Sequence, residues 1–198
     1  MPLRLKLLPL AFGGLIAGVI TILVVVFVFR AWWGTPIHVF GFGEAAEQPI
    51  AFPHTQHVDI DGISCAFCHR NVMQGDAASI LPVEGCLFCH ATIQGESAPP
   101  EIAKVVNHYE SNRPIDWEKV HRLPDHVQFS HEPHVRFLTE IQGLSLENAC
   151  ATCHGDVRSM TKVEQVRSLK MGDCVDCHRK HQYLTDNKDI VDCSTCHY

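Results

Sequence analysis

The ten cysteines of this chain constrain it more than any other feature, because all of them fall into five copies of one pattern, C-x-x-C-H. In this pattern two thiols add to the vinyl groups of one porphyrin, and the following histidine becomes an axial ligand of the iron. Five copies therefore predict five covalently bound haems c. The attachment cysteines are Cys65, Cys68, Cys86, Cys89, Cys150, Cys153, Cys174, Cys177, Cys193 and Cys196, and the predicted proximal ligands are His69, His90, His154, His178 and His197.

Other uses of C-x-x-C account for this chain less well. Structural zinc takes two such pairs for each ion, and five pairs do not divide by two. A thioredoxin-like dithiol needs one motif beside a βαβ pattern, whereas here five motifs are each followed by histidine. Disulfides occur in exported chains, but they would not require a histidine after every second cysteine.

Residues 7–29 form an uncharged, mostly apolar stretch that is long enough to cross a bilayer as a helix. Arg4 and Lys6 precede it, which favours a cytoplasmic N-terminus, and an arginine and two tryptophans follow as interface anchors. A cleaved signal peptide would have a shorter apolar core followed by small residues. We therefore expect an uncleaved, single-pass anchor in the cytoplasmic (inner) membrane, with the haem domain on the periplasmic side.

The remaining residues must house five haems, so that protein side chains alone cannot supply an ordinary core. We expect a mostly α and irregular fold of the multihaem cytochrome c kind, with class III-like modules, one N-terminal transmembrane helix and the haems as the core. The predicted parts are an anchor at 1–32, a two-haem module at 33–100, a helical connector at 101–125 and a three-haem module at 126–198.

Two stretches between the motifs have helical patterns. Residues 101–126 predict two short helices divided near Pro114. Between the third and fourth motifs, apolar residues at three-residue steps favour a helical face against haem; they are Val157, Met160, Val163 and Val166. Residues 34–49 are rich in glycine and proline and predict an extended lead, and GESAPP at 95–100 predicts a break.

A second repeat supplies candidates for the distal side of the irons. The frame Phe-x-His-x-x-His occurs at 52–57 and again at 129–134, each copy ahead of a C-x-x-C-H series. Two histidines three residues apart lie on one side of a helical turn, so one rigid segment can serve two neighbouring irons. The predicted distal ligands of four haems are His54, His57, His131 and His134.

The distal ligand of the fifth iron has several candidates. We favour His121 over Met171, whose thioether would raise the potential of that haem relative to bis-histidine ligation. His181 follows His178 too closely for easy ligation of the same iron, although another iron could use it. The remaining histidines have no supporting pattern, and we expect ordinary polar positions at His38, His108 and His126.

Longer stretches of the sequence resemble a known family. FPHTQHVDIDGISCAFCH, EIAKVVNHYESNRPIDWEKVHRLPDHVQFSHEPHV and KMGDCVDCHR resemble the pentahaem, membrane-anchored cytochrome c subunit of alternative complex III, a bacterial quinol oxidoreductase. The resemblance spans most of the chain, from the anchor to the C-terminal CSTCHY. The modules separately resemble the cytochrome c3/c7 group, and the family pattern also supports His121 in its VHRLPD setting.

This resemblance implies an electron-transfer subunit with no substrate chemistry of its own. The implied partners are a polytopic quinol-binding subunit, an iron–sulfur subunit and a monohaem cytochrome, with a soluble periplasmic protein as electron acceptor. Ten filled axial positions on five irons would leave no open site for catalysis. The formal net charge of −6 and the absence of a basic stripe give no indication of nucleic-acid binding.

Two enzymatic alternatives are open at the level of sequence. A stand-alone membrane quinol dehydrogenase of the NapC/NrfH type also has one anchor and several haem motifs, but its first motif sits close to the membrane helix, whereas Cys65 lies far beyond residue 29. A multihaem reductase would have a haem without a distal ligand, or a C-x-x-C-K variant, and this chain contains no such variant.

The cysteine pattern predicts the mass of the mature protein. Intact-protein mass spectrometry should find a covalent gain that corresponds to five haems, because each motif forms two thioether bonds. If the mature polypeptide showed no gain in mass from haem, the predicted electron-transfer role would be wrong.

Overall fold

The computed structural model describes residues 3–33, 45–93, 99–184 and 189–198. The chain divides into two compact units, Met1–Ile37 and His38–Tyr198. The first unit contains helix α1 (Leu3–Trp33), in which the span Phe12–Phe29 is long and apolar enough to cross a membrane and is not buried by protein. The described residues thus include one N-terminal apolar helix of the length that an anchor requires. Most of the predicted extended lead and most of GESAPP lie outside the described residues.

The second unit is helical and irregular. Its described residues contain no strand, and one antiparallel bridge joins Val127 and His197. Its α-helices are α2 (Cys65–Cys68), α3 (Val83–His90), α4 (Pro99–Glu110), α5 (His131–Arg136), α6 (Leu146–His154), α7 (Met171–His181) and α8 (Cys193–Cys196). Shorter turns are π-helical at Thr55–Ile60 and Phe137–Ile141, and 3₁₀ at Arg70–Met73, Val157–Ser159 and Gln182–Leu184. This architecture confirms the predicted fold class.

The protein's own apolar core is small. In the part of the chain that the structure describes, seven apolar side chains are buried, and none of the large ones is buried completely. The main cluster lies where α3 meets α4 and consists of Ile50, Val83 and Val105, with Trp117 packed against it. Full burial of one such aliphatic side chain contributes about 1.5–3 kcal/mol. Seven are too few to offset the conformational entropy of a domain this size.

The predicted connector is only partly helical. Helix α4 ends at Glu110, and the second predicted helix, beyond Pro114, is wrong. The Nδ1 atom of His108 lies 3.0 Å from the carbonyl oxygen of Pro114, which folds the chain back over the end of α4. From there the backbone is irregular and carries Ile115 and Trp117 onto the core cluster. Tertiary packing of these two side chains therefore overrides the local helical pattern.

The helical face predicted between the third and fourth motifs is also wrong. This stretch contains one 3₁₀ turn, Val157–Ser159, and is otherwise irregular. Gly155 ends α6 with φ 74° and ψ −174°, a backbone conformation that is essentially restricted to glycine and turns the chain away from a helix. The carbonyl oxygen of Met160 then accepts hydrogen bonds from the backbone N–H groups of His54 (3.1 Å) and Thr55 (3.3 Å).

The two Phe-x-His-x-x-His segments are tied to each other's motifs. The backbone N–H groups of the first segment donate hydrogen bonds to the carbonyl oxygen of Met160, which follows the third C-x-x-C-H motif. The second binds the loop after the first motif, because the N–H groups of His131 and Glu132 donate to the carbonyl oxygens of Asp76 (3.1 Å) and Gly75 (3.3 Å). These crossed hydrogen bonds hold the two predicted haem modules within one compact unit.

A substitution at Gly155 tests the importance of this turn. A Cβ atom there would lie 2.4 Å from the Cγ2 atom of Val166 in addition to the positive φ, so G155A should lower the free energy of unfolding by about 2–4 kcal/mol. Gly143 is the matched control, because it has φ +70° and open space around its Cα, and G143A should cost about 1–2 kcal/mol. Denaturant titration of the haem-loaded protein measures both; equal losses would contradict the steric argument.

Candidate functional site

Each cysteine pair sits on a helical turn, and all ten thiols are free. Residues three apart on a helix share one face, so the two sulfurs of each motif point to the same side. The histidine that follows ends the helix or lies directly after it in four motifs, and His178 lies within α7. This is the local geometry that attachment to one macrocycle requires.

The thiols are poorly suited to metal or redox chemistry of their own. Burial raises the pKa of Cys150 to about 11, and the nearby Cys65 thiol adds to the shift. Burial likewise raises the pKa of Cys153 and Cys174. A zinc ligand or a reactive dithiol needs the opposite shift, toward the thiolate. In the described residues no group of histidine, cysteine and carboxylate side chains could hold a metal ion by itself.

Backbone carbonyl oxygens orient the imidazoles of the motifs. The Nδ1 atom of His69 lies 2.7 Å from the carbonyl oxygen of Ser79. The Nδ1 atoms of His90 and His178 lie 2.7 Å and 2.6 Å from the carbonyl oxygens of Ile93 and Ile190, respectively. A carbonyl can only accept, so Nδ1 carries the hydrogen and Nε2 keeps a free lone pair. A histidine that ligates a metal shows this same arrangement.

The histidines of the Phe-x-His-x-x-His segments are oriented in the same way. The Nδ1 atoms of three of them lie close to backbone carbonyl oxygens, at 3.0 Å for His57, 2.6 Å for His131 and 2.7 Å for His134. For His131 the acceptor is Asp76, in the other predicted module. Each of these rings therefore also presents Nε2 as the atom available to iron.

The spacing of the rings fits an iron between them. The ring centroids are 6.0 Å apart for His57 and His90, 6.3 Å for His131 and His154, and 5.9 Å for His134 and His178. Metal–imidazole bonds of about 2 Å on both sides of one ion place two centroids about 6 Å apart. Three pairs thus have the separation that bis-histidine ligation requires.

His54 lies near the first motif histidine, His69, as its pKa indicates. Burial, and to a smaller extent the nearby His69 and His57, lower its pKa to about 4. Its Nδ1 atom is buried without a hydrogen-bond partner. The pKa of His154 is also lowered to about 4, mainly by burial and then by His121 and His131. Because these pKa values are depressed, both rings are neutral above about pH 4, which is the form that binds iron.

His121 lies beside the third motif. Its ring meets that of His154 edge-on, with centroids 4.3 Å apart and an angle of 90° between the planes. This separation is too short to hold an iron, and the Nε2 atom of His121 is buried without a partner. The structure therefore places His121 against His154.

The ring of His126, for which the sequence predicted an ordinary polar position, lies near the fifth proximal histidine, His197. The centroids of His126 and His197 are 5.4 Å apart. The backbones of these segments pair directly, with Gln128 N–H donating to Cys196 O (2.8 Å) and Tyr198 N–H to His126 O (3.4 Å). The planes of the two rings are within 15° of parallel, and their separation is slightly shorter than that of the three pairs above.

The other two candidates for the fifth iron lie on α7. The ring of His181 packs on Phe137 at 5.3 Å, one helical turn after His134, and so lies beside the fourth pair. Met171 is the first residue of α7 and 69% exposed.

Neighbouring thiols place the five motifs in one continuous series. In each case burial is the main reason that a thiol pKa is raised, and a thiol of the adjacent motif raises it further. The adjacent pairs are Cys86 with Cys68, Cys150 with Cys65, Cys153 with Cys177, and Cys174 with Cys196. The series therefore runs from the second motif through the first, third and fourth to the fifth.

Free thiols on helical turns, imidazoles that present Nε2 and ring pairs about 6 Å apart all fit covalently bound haem. With the helical, irregular fold and the small apolar core, they define a multihaem c-type cytochrome. The family model of cytochrome c7 and related cytochrome c matches residues 127–198, which contain the last three motifs.

A relative matches most of the chain. The multihaem cytochrome c subunit of menaquinone reductase from Nitratidesulfovibrio vulgaris (strain Hildenborough) is 30% identical over 186 residues, which cover 88% of this chain and 86% of the relative. The chain belongs to this family of multihaem cytochromes c, and electron transfer is its function.

Proposed function

We propose that this chain carries five haems c and is the electron-transfer subunit of a membrane quinol oxidoreductase of the alternative complex III type. It receives electrons that a partner subunit takes from quinol and relays them to a soluble periplasmic acceptor. The continuous series of five motifs carries this proposal. Sites that lie near one another are what a relay requires, and an isolated active site does not need them.

In the proposed arrangement the repeat histidines and the motif histidines hold four irons from both sides. Bound haem supplies reversible one-electron oxidation and reduction of iron at each site. The pairs are His54 with His69, His57 with His90, His131 with His154, and His134 with His178. Three of these pairs rest on ring centroids 5.9–6.3 Å apart, and the first rests on the electrostatic contact between its two rings.

The residues around these pairs act by fixing positions. Carbonyl oxygens hold the Nδ1 hydrogens of His69, His90 and His178, so each ring keeps one tautomer and one direction. Each repeat segment is one rigid turn, so its two histidines hold two neighbouring sites at a constant separation. Little rearrangement is then needed when an electron arrives or leaves.

Substrate chemistry belongs to the partners in this proposal. Irons ligated from both sides offer no open position to a substrate, so quinol oxidation is assigned to a polytopic subunit beside the α1 anchor. An iron–sulfur subunit and a monohaem cytochrome complete the proposed complex. The apolar span Phe12–Phe29 supports attachment to the membrane.

The similarity to the menaquinone reductase subunit favours a second candidate. That protein is a subunit of menaquinone reductase, in which electrons would move toward quinone rather than away from it. A series of closely spaced sites conducts in either direction, and the potentials of the partners decide which. The second candidate is therefore a relay that delivers periplasmic electrons to a menaquinone-reducing partner.

Extraction of the native membranes with a mild detergent tests these proposals. Co-purification with a polytopic subunit and an iron–sulfur subunit, together with haem reduction by added quinol, supports the quinol oxidoreductase. A complex whose haems are reduced by a periplasmic donor, and which then reduces menaquinone, supports the second candidate. A chain that purifies alone and is reduced directly by quinol would be a stand-alone dehydrogenase of the NapC/NrfH type.

Substitution of the repeat histidines tests the ligand pairs. H57A and H134A should each retain all attached haem, because the cysteines are unchanged, and should each convert one low-spin ferric haem to high spin in electron paramagnetic resonance. H108A is the control, because His108 contacts the carbonyl oxygen of Pro114 in the connector, and should leave the spectrum unchanged. Unaltered low-spin spectra in H57A and H134A would contradict the pairing.

A further inference from the structure

Each repeat begins with a phenylalanine whose ring packs on both histidines of the same repeat. The ring of Phe52 meets that of His54 edge-on, with centroids 5.1 Å apart and an angle of 83° between the planes. It lies face to face with the ring of His57, with centroids 4.2 Å apart and an angle of 21°. Edge-on and offset face-to-face contacts are the arrangements that aromatic rings prefer. One side chain therefore contacts the proposed distal ligands of two neighbouring irons.

The second repeat has the same arrangement. The ring of Phe129 meets that of His131 at 84°, with centroids 4.9 Å apart. Its centroid lies 4.6 Å from that of the His134 ring, at an angle of 31°. The two copies agree in both contacts, although the residues between the phenylalanine and the histidines differ. The phenylalanine is therefore a working part of each ligand segment.

A hydrogen bond and a phenylalanine contact restrict a histidine ring in different ways. The Nδ1 atoms of His57 and His134 lie close to carbonyl oxygens four residues earlier, which holds one edge of each ring. The ring can still tilt about that edge, and an aromatic ring against its face limits this tilt. The buried Nδ1 atom of His54 has no hydrogen-bond partner, so the contact with Phe52 has a larger share in holding that ring.

The angle between the two imidazole planes differs among the proposed sites. The planes at the third and fourth motifs are close to parallel, at 8° and 23°. At the second motif the planes of His57 and His90 are crossed, at 69°. Each imidazole interacts through its π electrons with the iron d orbital perpendicular to its plane, so crossed planes bring two of these orbitals close in energy. The second haem is then expected to differ from the third and fourth in its electronic structure.

We infer that Phe52 and Phe129 are positioning residues that set the planes of the distal imidazoles, with crossed planes at the second haem and near-parallel planes at the third and fourth. This inference rests on the five-haem function and the ligand pairs proposed above. The orientation of a ligand ring tunes the metal that it binds. Each phenylalanine thus acts on two neighbouring irons through their histidines, and the repeat contains three functional positions rather than two.

Electron paramagnetic resonance of the oxidised, haem-loaded protein tests the role of Phe52. Near-parallel imidazoles give a rhombic low-spin signal, and crossed imidazoles give a strongly axial one with a large principal g value. The wild type should show both kinds, and H57A should lose one large-g signal, which assigns that signal to the second haem. F52L should broaden this signal and lower its g value, because the ring then samples less crossed angles. F52Y keeps the aromatic face and should retain it.

F129L is the matched control in the other repeat. It should leave the large-g signal unchanged and alter only rhombic signals, because its ring contacts the ligands of the third and fourth haems. A wild type with rhombic signals alone, or a large-g signal that survives unchanged in F52L, overturns the inference for Phe52. A high-spin haem in F52L would show that Phe52 is needed for ligation itself and would also overturn a role limited to orientation.

Intact mass, measured in every sample, separates this inference from the proposed function. Five attached low-spin haems in the wild type, with an unchanged spectrum in F52L, contradict the positioning role and leave the function standing. Fewer than five attached haems in the wild type contradict the proposed function.

Discussion

The hydrogen bond from a histidine Nδ1 to a backbone carbonyl oxygen is the interaction on which this site depends. It occurs in three motif histidines and in three repeat histidines, and each time it leaves Nε2 free to bind iron. The acceptors are main-chain atoms, so the loops that supply them must hold their backbone in place. The irregular stretches between the short helices are therefore as important for the site as the helices.

Much of the site could be predicted from the sequence, because its chemistry is local. A C-x-x-C-H motif specifies two thiols and one imidazole within five residues, and the spacing in Phe-x-His-x-x-His places two rings on one turn. The structure has helical turns at both repeats and at all five motifs. The apolar stretch near the N-terminus likewise forms one continuous helix.

Features that depend on distant parts of the chain could not be predicted in this way. The stretch around Met160 has helical periodicity, but its carbonyl oxygen bonds to the backbone of His54, about a hundred residues earlier. Trp117 lies in a plausible helix and instead packs on a cluster that includes Ile50. His126 has no motif around it, and only pairing with the C-terminal residues brings it to His197.

The crossed hydrogen bonds between the two repeat segments have a consequence for how the holoprotein is made. His131 is oriented by Asp76, a residue that leaves the ribosome earlier in synthesis. The later half of the chain therefore acquires its ligand geometry on a template that the earlier half provides. The first repeat in turn needs the carbonyl oxygen of Met160, which follows the third motif, so neither half of the chain has its complete ligand geometry until both have been synthesised.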